Sequence, residues 1–172
     1  EGIPKCPSPS SRCQYLQEKF SFEGKRPEWL CDVFATLTEG TAWVLCLRGT
    51  LRPETPSDGA RWTLGHLKTT REELRRAVKV LRSMAHDRIM PGINLLAGFS
   101  KGAGQAEALA ANAPLEYPRV LLVEGGHRLR APKLRALASQ RIAYACGTNA
   151  CASRAQRACG RYRQFNGQCQ LE

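Results

Sequence analysis

An apolar run that ends in a glycine-flanked serine and turns straight into an alanine-rich helical pattern constrains this chain more than any other feature. Ile93-Asn94-Leu95-Leu96-Ala97 reads as a buried strand, Gly98-Phe99-Ser100-Lys101-Gly102 as a G-x-S-x-G turn, and Ala103 to Asn112 as a helix stopped by Pro114. A serine nucleophile needs such a kink to lift its hydroxyl off the end of a strand, and glycines at 98 and 102 remove the Cβ atoms that would obstruct it. The helix N-terminus then faces Ser100, where the Lys101 N–H and the helix dipole can stabilise a developing oxyanion. Two other readings fit the bare motif. Ser100 could simply cap the helix, or the loop could cradle phosphate, although G-x-x-x-x-G-K-[ST] is absent.

The surrounding pattern alternates strands with helices. Leu30 to Leu37 and Thr41 to Leu47 read as strands around a turn at Glu39-Gly40. A capping box at Thr70 to Glu73 opens an amphipathic helix through Leu74, Ala77, Val78, Leu81, Met84 and Ala85 to about His86. Arg119 to Val123 is a continuous apolar run, as expected of a strand buried on both faces, and leads into Glu124-Gly125-Gly126-His127. A short helix over Pro132 to Gln140, a strand over Ile142 to Cys146, a helix through about Cys159 and a last strand within Phe165 to Leu171 complete the series. Such alternation implies an α/β fold: a mostly parallel sheet with right-handed crossovers and its ligand site at the C-terminal strand ends. Ser100, Gly49, Glu124 and Asn149 all fall at such ends.

At 172 residues and 42% hydrophobic, the chain has the material for a single domain, 1–172. Residues 1 to 28 read as an irregular N-terminal arm and edge segment, since Pro4, Pro7, Pro9 and three serines crowd its first half. Eight cysteines fall in two groups: Cys6, Cys13, Cys31 and Cys46, then Cys146, Cys151, Cys159 and Cys169. An even number favours disulfides and a secreted or periplasmic setting. Cys6 and Cys13 would tie down the arm, to each other or to the body. Cys31 and Cys46 stand at near-mirror distances from the turn at 39–40, so an antiparallel pairing would let them bridge, though other partners are open. Cys159 to Cys169 would staple the last helix to the last strand. Zinc is disfavoured because neither group contains C-x-x-C or a neighbouring histidine. No metal and no cofactor are expected. No stretch reaches the apolar length of a membrane span, roughly 18 residues or more.

Twenty-six basic residues stand against 15 acidic ones, a formal charge of +11. Such a surface draws anions. The basic residues are spread over several helical patterns without aromatic interleaving, so nucleic acid is an unlikely partner. An anionic small-molecule or cell-envelope substrate fits better.

The elbow motif, with its strand before and helix after, resembles the α/β-hydrolase superfamily over residues 30 to 172. The resemblance implies a serine hydrolase cleaving an ester or amide through an acyl-enzyme on Ser100. It implies an oxyanion hole from the N–H of Lys101 and from the loop Leu47-Arg48-Gly49-Thr50, with Gly49 the second donor. The loop Arg52 to His66 would be a flap beside the site, and His66 a substrate contact or a solvated side chain. The superfamily's acid follows the strand that ends at Cys146, where this chain has Asn149, which carries no charge. Some members take the acid one strand earlier, at Glu124, which could equally bind backbone N–H groups or Arg128. The superfamily's histidine follows the last strand, and no histidine lies beyond His127. His127, three residues from Glu124, is a poor geometric substitute, and His86 suits a helix C-terminus. Two expectations result: a histidine supplied by a further segment or second chain, or a non-catalytic binding module on a hydrolase scaffold.

Overall fold

The computed structural model describes residues 14–20, 28–47, 49–51, 62–85, 88–89, 94–128 and 131–172. Cys6, Cys13 and His86, with most of the expected flap, lie outside them. A six-stranded sheet runs through the molecule in the order β2-β1-β5-β6-β7-β8, every neighbouring pair parallel. Its strands are β1 (Gln14–Phe20), β2 (Ala42–Leu47), β5 (Asn94–Phe99), β6 (Arg119–Val123), β7 (Arg141–Ala145) and β8 (Gln168–Leu171). Helices α1 (Glu28–Leu37), α2 (Leu67–Ala85), α3 (Lys101–Asn112), α4 (Ala131–Ala136) and α5 (Asn149–Arg163) connect them. Thr50–Leu51 (β3) and Trp62–Thr63 (β4) form a small antiparallel pair between β2 and α2.

The N-terminal half departs from the sequence expectation. Leu30 to Leu37 is helical, so the expected antiparallel hairpin with Thr41 to Leu47 does not form. The reason is topological: β1 and β2 are parallel neighbours, and parallel neighbours require a crossover, usually a helix. A short apolar run does not by itself distinguish strand from helix. Cys31 and Cys46 are nonetheless bonded, joining α1 to β2 with a Cα separation of 6.0 Å. Residues 14–20, read as part of an arm and edge segment, form β1, an inner strand between β2 and β5. The helix expected to start at Thr70 starts at Leu67. Thr70 is buried inside it, its hydroxyl 3.4 Å from the Gly65 carbonyl, so it cannot be the cap.

Both faces of the sheet follow the period-two alternation of its strands. Leu96, Val120, Leu122, Ile142 and Tyr144 point to the α3 and α5 side, where Ala103, Ala106, Leu109, Ala110, Ala155 and Ala158 meet them. Alanine on these helices lets them lie close to the strands. On the other face Phe34 of α1 packs near Ala97, with Val44, Leu95, Phe99 and Leu121 around them. Trp43 on β2 instead meets Leu81 and Ala85 of α2. The chain steps from β1 outward to β2, then returns past β1 to build β5 through β8 in the opposite direction. The order therefore reverses between β1 and β5, and open α/β sheets bind ligands at the carboxyl ends of strands flanking such a reversal.

Candidate functional site

Ser100 sits at that reversal, between the end of β5 and the first turn of α3. Its φ of 51° is in the left-handed region, with ψ at −116°. A non-glycine residue held there costs about 1–3 kcal/mol, which the neighbouring packing must offset. A Cβ on Gly98 would lie 2.5 Å from the Gly102 carbonyl oxygen and 2.7 Å from the Ala103 Cα, so only glycine allows strand and helix to approach this closely. From the other side, a Cβ on Gly125 would lie 2.4 Å from the Ser100 carbonyl oxygen. The Ser100 N–H donates to the Val123 carbonyl at 2.8 Å, and the Ala103 N–H returns to the Ser100 carbonyl at 3.2 Å. The N–H groups of Lys101 and Gly102 thus have no acceptor within the helix. The Ser100 side chain makes no cap hydrogen bond and is exposed, which disposes of the reading in which it caps α3.

A cavity of about 420 Å³ opens over the elbow, and Ser100, Lys101, Glu124, His127, Arg128 and Arg154 line it. Four of the sequence-selected residues, Ser100, Lys101, Glu124 and His127, are therefore brought together. Gly49 and Asn149 are not among its lining. Gly49 follows β2, the edge strand, with β1 between it and β5, and its φ of 74° lets the backbone pass the Thr63 carbonyl. The strand end beside the elbow is that of β1, whose Phe20 pairs with Phe99. Asn149 is the exposed first residue of α5, one place after the cap Thr148. His66 is exposed just before α2 and is not among the residues lining the cavity. A larger cavity of about 620 Å³ lies elsewhere, along Leu95, Leu121 and Ala143, and no serine, acid or histidine lines it.

Glu124 also has a positive φ, 53°. Its carboxylate accepts from the Gly147 N–H and, at 3.3 Å, from the Thr148 hydroxyl. The same Thr148 oxygen accepts from the Cys151 N–H at 3.3 Å, and the Cys146–Cys151 disulfide closes the turn. Glu124 thus braces the β7–α5 turn from the end of β6.

Beneath this turn lies a residue that sequence reasoning passed over. Glu107 is 2% exposed in the middle of α3. One carboxylate oxygen lies 3.4 Å from the Tyr144 hydroxyl, and the other accepts the Arg128 N–H at 3.3 Å. Tyr144 in turn donates to the Gly126 carbonyl at 2.8 Å. Burial, with Glu107 beside it, pushes the Tyr144 phenol well above its ordinary range and keeps it a donor. Glu107 therefore holds the 124–128 loop over the elbow. The available signal was a lone acid on the stripe 103-106-107-110 of a helix otherwise rich in alanine.

His127 sits with Nδ1 buried and without a hydrogen-bond partner among the described residues. Burial, with Arg154 and Arg128 close by, holds it below the ordinary histidine range, against a smaller opposing effect of the Gly125 backbone. The lowered value favours the neutral imidazole, the form that accepts a proton.

No protein-family model and no curated protein sequence matches the chain. Solved structures do. A thermostable esterase superposes with a TM-score of 0.62 at 10% identity, over 99% of this chain and 48% of its own. The Bacillus cereus carboxylesterase gives 0.63 at 16% identity, over 95% of this chain and 79% of its own. Arabidopsis thaliana SOBER1 gives 0.53 at 14% identity, over 93% and 87%. The fold is α/β-hydrolase-like. The chain spans about half the length of the thermostable esterase.

Proposed function

We propose that this protein is a serine hydrolase that cleaves an ester or amide through an acyl-enzyme on Ser100. The observation that carries the reading is the backbone of Ser100, held at φ 51° on a strand-to-helix kink that opens into the same cavity as Glu124 and His127. The Ser100 Oγ attacks the acyl carbon while a histidine takes its proton, and the N–H of Lys101 faces the oxyanion. Gly49 stands one strand away from the elbow, so Lys101 is the donor that the described residues supply. The leaving alcohol or amine departs with the histidine's proton, and water then releases the acyl group by the same route. His127 is the histidine that lines the cavity among the described residues. A histidine brought by a further segment or a partner chain is the other source of base. Glu124 acts as the acid that orients the base and stabilises its cation. The esterase names of the structural neighbours agree with this chemistry, and the three disulfides among the described residues suit a secreted or periplasmic protein.

Intact-mass labelling with a fluorophosphonate tests the reading. One adduct is expected, absent in Ser100→Ala. Slow labelling in His127→Gln identifies His127 as the base, whereas labelling that appears only after a further segment or partner is added assigns the base to it. No adduct under any of these conditions would refute the proposal.

One observation favours a second reading. Both carboxylate oxygens of Glu124 are engaged by the 147–148 turn, as in a structural brace. A binding module on the same scaffold would hold its ligand equally well after Ser100→Ala and turn over no ester.

A further inference from the structure

The cavity over Ser100 is continuous in its lining with a second cleft of about 450 Å³, and Arg154 and His127 belong to both. Arg154, Arg157 and Arg161 stand at i, i+3 and i+7 on α5, one exposed stripe running about 10 Å away from the elbow. Lys101 and Arg128 add to the same field, and among the described residues Glu124 is the one acid lining either cavity. The contrast with the arginines of α2 is informative. Arg75 and Arg71 are paired with Glu116, at 2.7 and 3.5 Å, so their charge is matched locally. Arg128, Arg154 and Arg157 form no ion pair among the described residues, and Arg161 donates to the His127 backbone carbonyl at 3.2 Å. The field of Arg154, Arg128 and Arg157 is felt at His127, where it disfavours a further positive charge. Cationic side chains that outnumber the acids around a concave site attract an anion from solution and bind carboxylate or phosphate through paired N–H donors.

Building on the proposed hydrolase reading, we infer that the substrate is a small ester or amide bearing a carboxylate or phosphate at its non-reacting end. That acidic group is received by Arg154 and Arg157. The stripe begins at the cavity of Ser100, so the acid lies within about 10 Å of the scissile bond, the reach of a short aliphatic spacer.

The test compares p-nitrophenyl adipate with its methyl ester, and with a phosphate-terminated ester of equal length. The acidic esters are expected to be preferred, and Arg154→Gln or Arg157→Gln to reduce that preference about tenfold each, through KM rather than kcat. Which acidic ester gains more distinguishes carboxylate from phosphate. Equal turnover of acidic and neutral esters, unmoved by either substitution, overturns the inference and leaves the hydrolase reading intact. If no ester is turned over, titration of Ser100→Ala with monomethyl adipate decides. Arginine-dependent binding then supports the anion site, with the hydrolase reading decided separately by fluorophosphonate labelling, and no binding overturns the inference. Arginine-dependent binding of a heparin fragment without ester selectivity overturns the inference in favour of a polyanion surface.

Discussion

The elbow and the C-terminal edge of the sheet face the same task, fixing a helix against a strand, and they meet it differently. Between β5 and α3 the contact is backbone on backbone. Gly98 meets the Gly102 carbonyl, Gly125 meets the Ser100 carbonyl, and no covalent link is present among the described residues there. At the edge, β8 has a sheet partner among the described residues on one side only, β7, and two disulfides surround it: Cys146–Cys151 at the start of α5 and Cys159–Cys169 from α5 to β8. Side chains do the rest. The Tyr162 ring packs where a Cβ of Gly167 would be, and its hydroxyl lies within hydrogen-bond reach of the Leu137 and Gln140 carbonyls. Burial pushes this phenol up to about 12, so it keeps its proton and remains a donor. An inner strand is held by hydrogen bonds on both sides and can devote its end to geometry, whereas an edge strand needs cross-links and aromatic packing to stay in place.

The largest expected effect breaks the first half of this contrast. Gly98→Ala sets a Cβ against backbone atoms that cannot move without parting strand from helix. A loss of about 3 kcal/mol or more is expected, with fluorophosphonate labelling abolished even in molecules that remain folded. Chemical denaturation and labelling read both, and native stability with normal labelling would refute the close-approach argument.

At the edge, removal of the cross-link by Cys159→Ser with Cys169→Ser should cost about 3 kcal/mol from loop entropy. Labelling at Ser100 should survive in the folded fraction, because the elbow does not depend on this bond. A simultaneous loss of labelling would show that edge and elbow are one unit.

Gly167→Ala is expected to cost about 1–3 kcal/mol, since its obstacle is a side-chain ring rather than backbone. Tyr162→Leu combined with it should recover part of that loss in thermal unfolding. No second substitution should rescue Gly98→Ala, and a rescue there would erase the distinction.

The smallest effect concerns pH. His127 is held below its ordinary 6.5 in the folded protein, so the unfolded chain binds the proton more readily. Its contribution to stability is complete above 6.5 and is lost as the pH falls from there through the lowered folded value. His127→Gln should flatten this part of the stability profile. If His127 is also the base, the acid limb of the rate falls in the same lowered range. A profile identical in wild type and His127→Gln would exclude both roles.

Much of the elbow was legible because its requirements are local. Gly98 and Gly102 flank Ser100, an apolar strand precedes it, an alanine-rich helix follows, and each signal lies within a few residues of the others. The Cys159–Cys169 link was legible for the same reason, joining consecutive elements. The α1 segment was not. Trp29 to Leu37 carries an apolar content that suits helix or strand, and the choice was made by β1, which pairs in parallel with both β2 and β5 and so forces a crossover. Sequence spacing pointed to Cys31–Cys46 through a hairpin, whereas tertiary structure makes the same bond between a helix and a strand. The insertion of β1 also separates Gly49 from the elbow, which no local pattern could reveal. Glu107 and the arginine stripe became visible only when α3, α5 and the 124–128 loop were in place. The sequence by itself determined where the chain kinks and which residues could do chemistry at the kink. Strand order, decided by long-range hydrogen bonding and burial, determined which of those residues share a cavity.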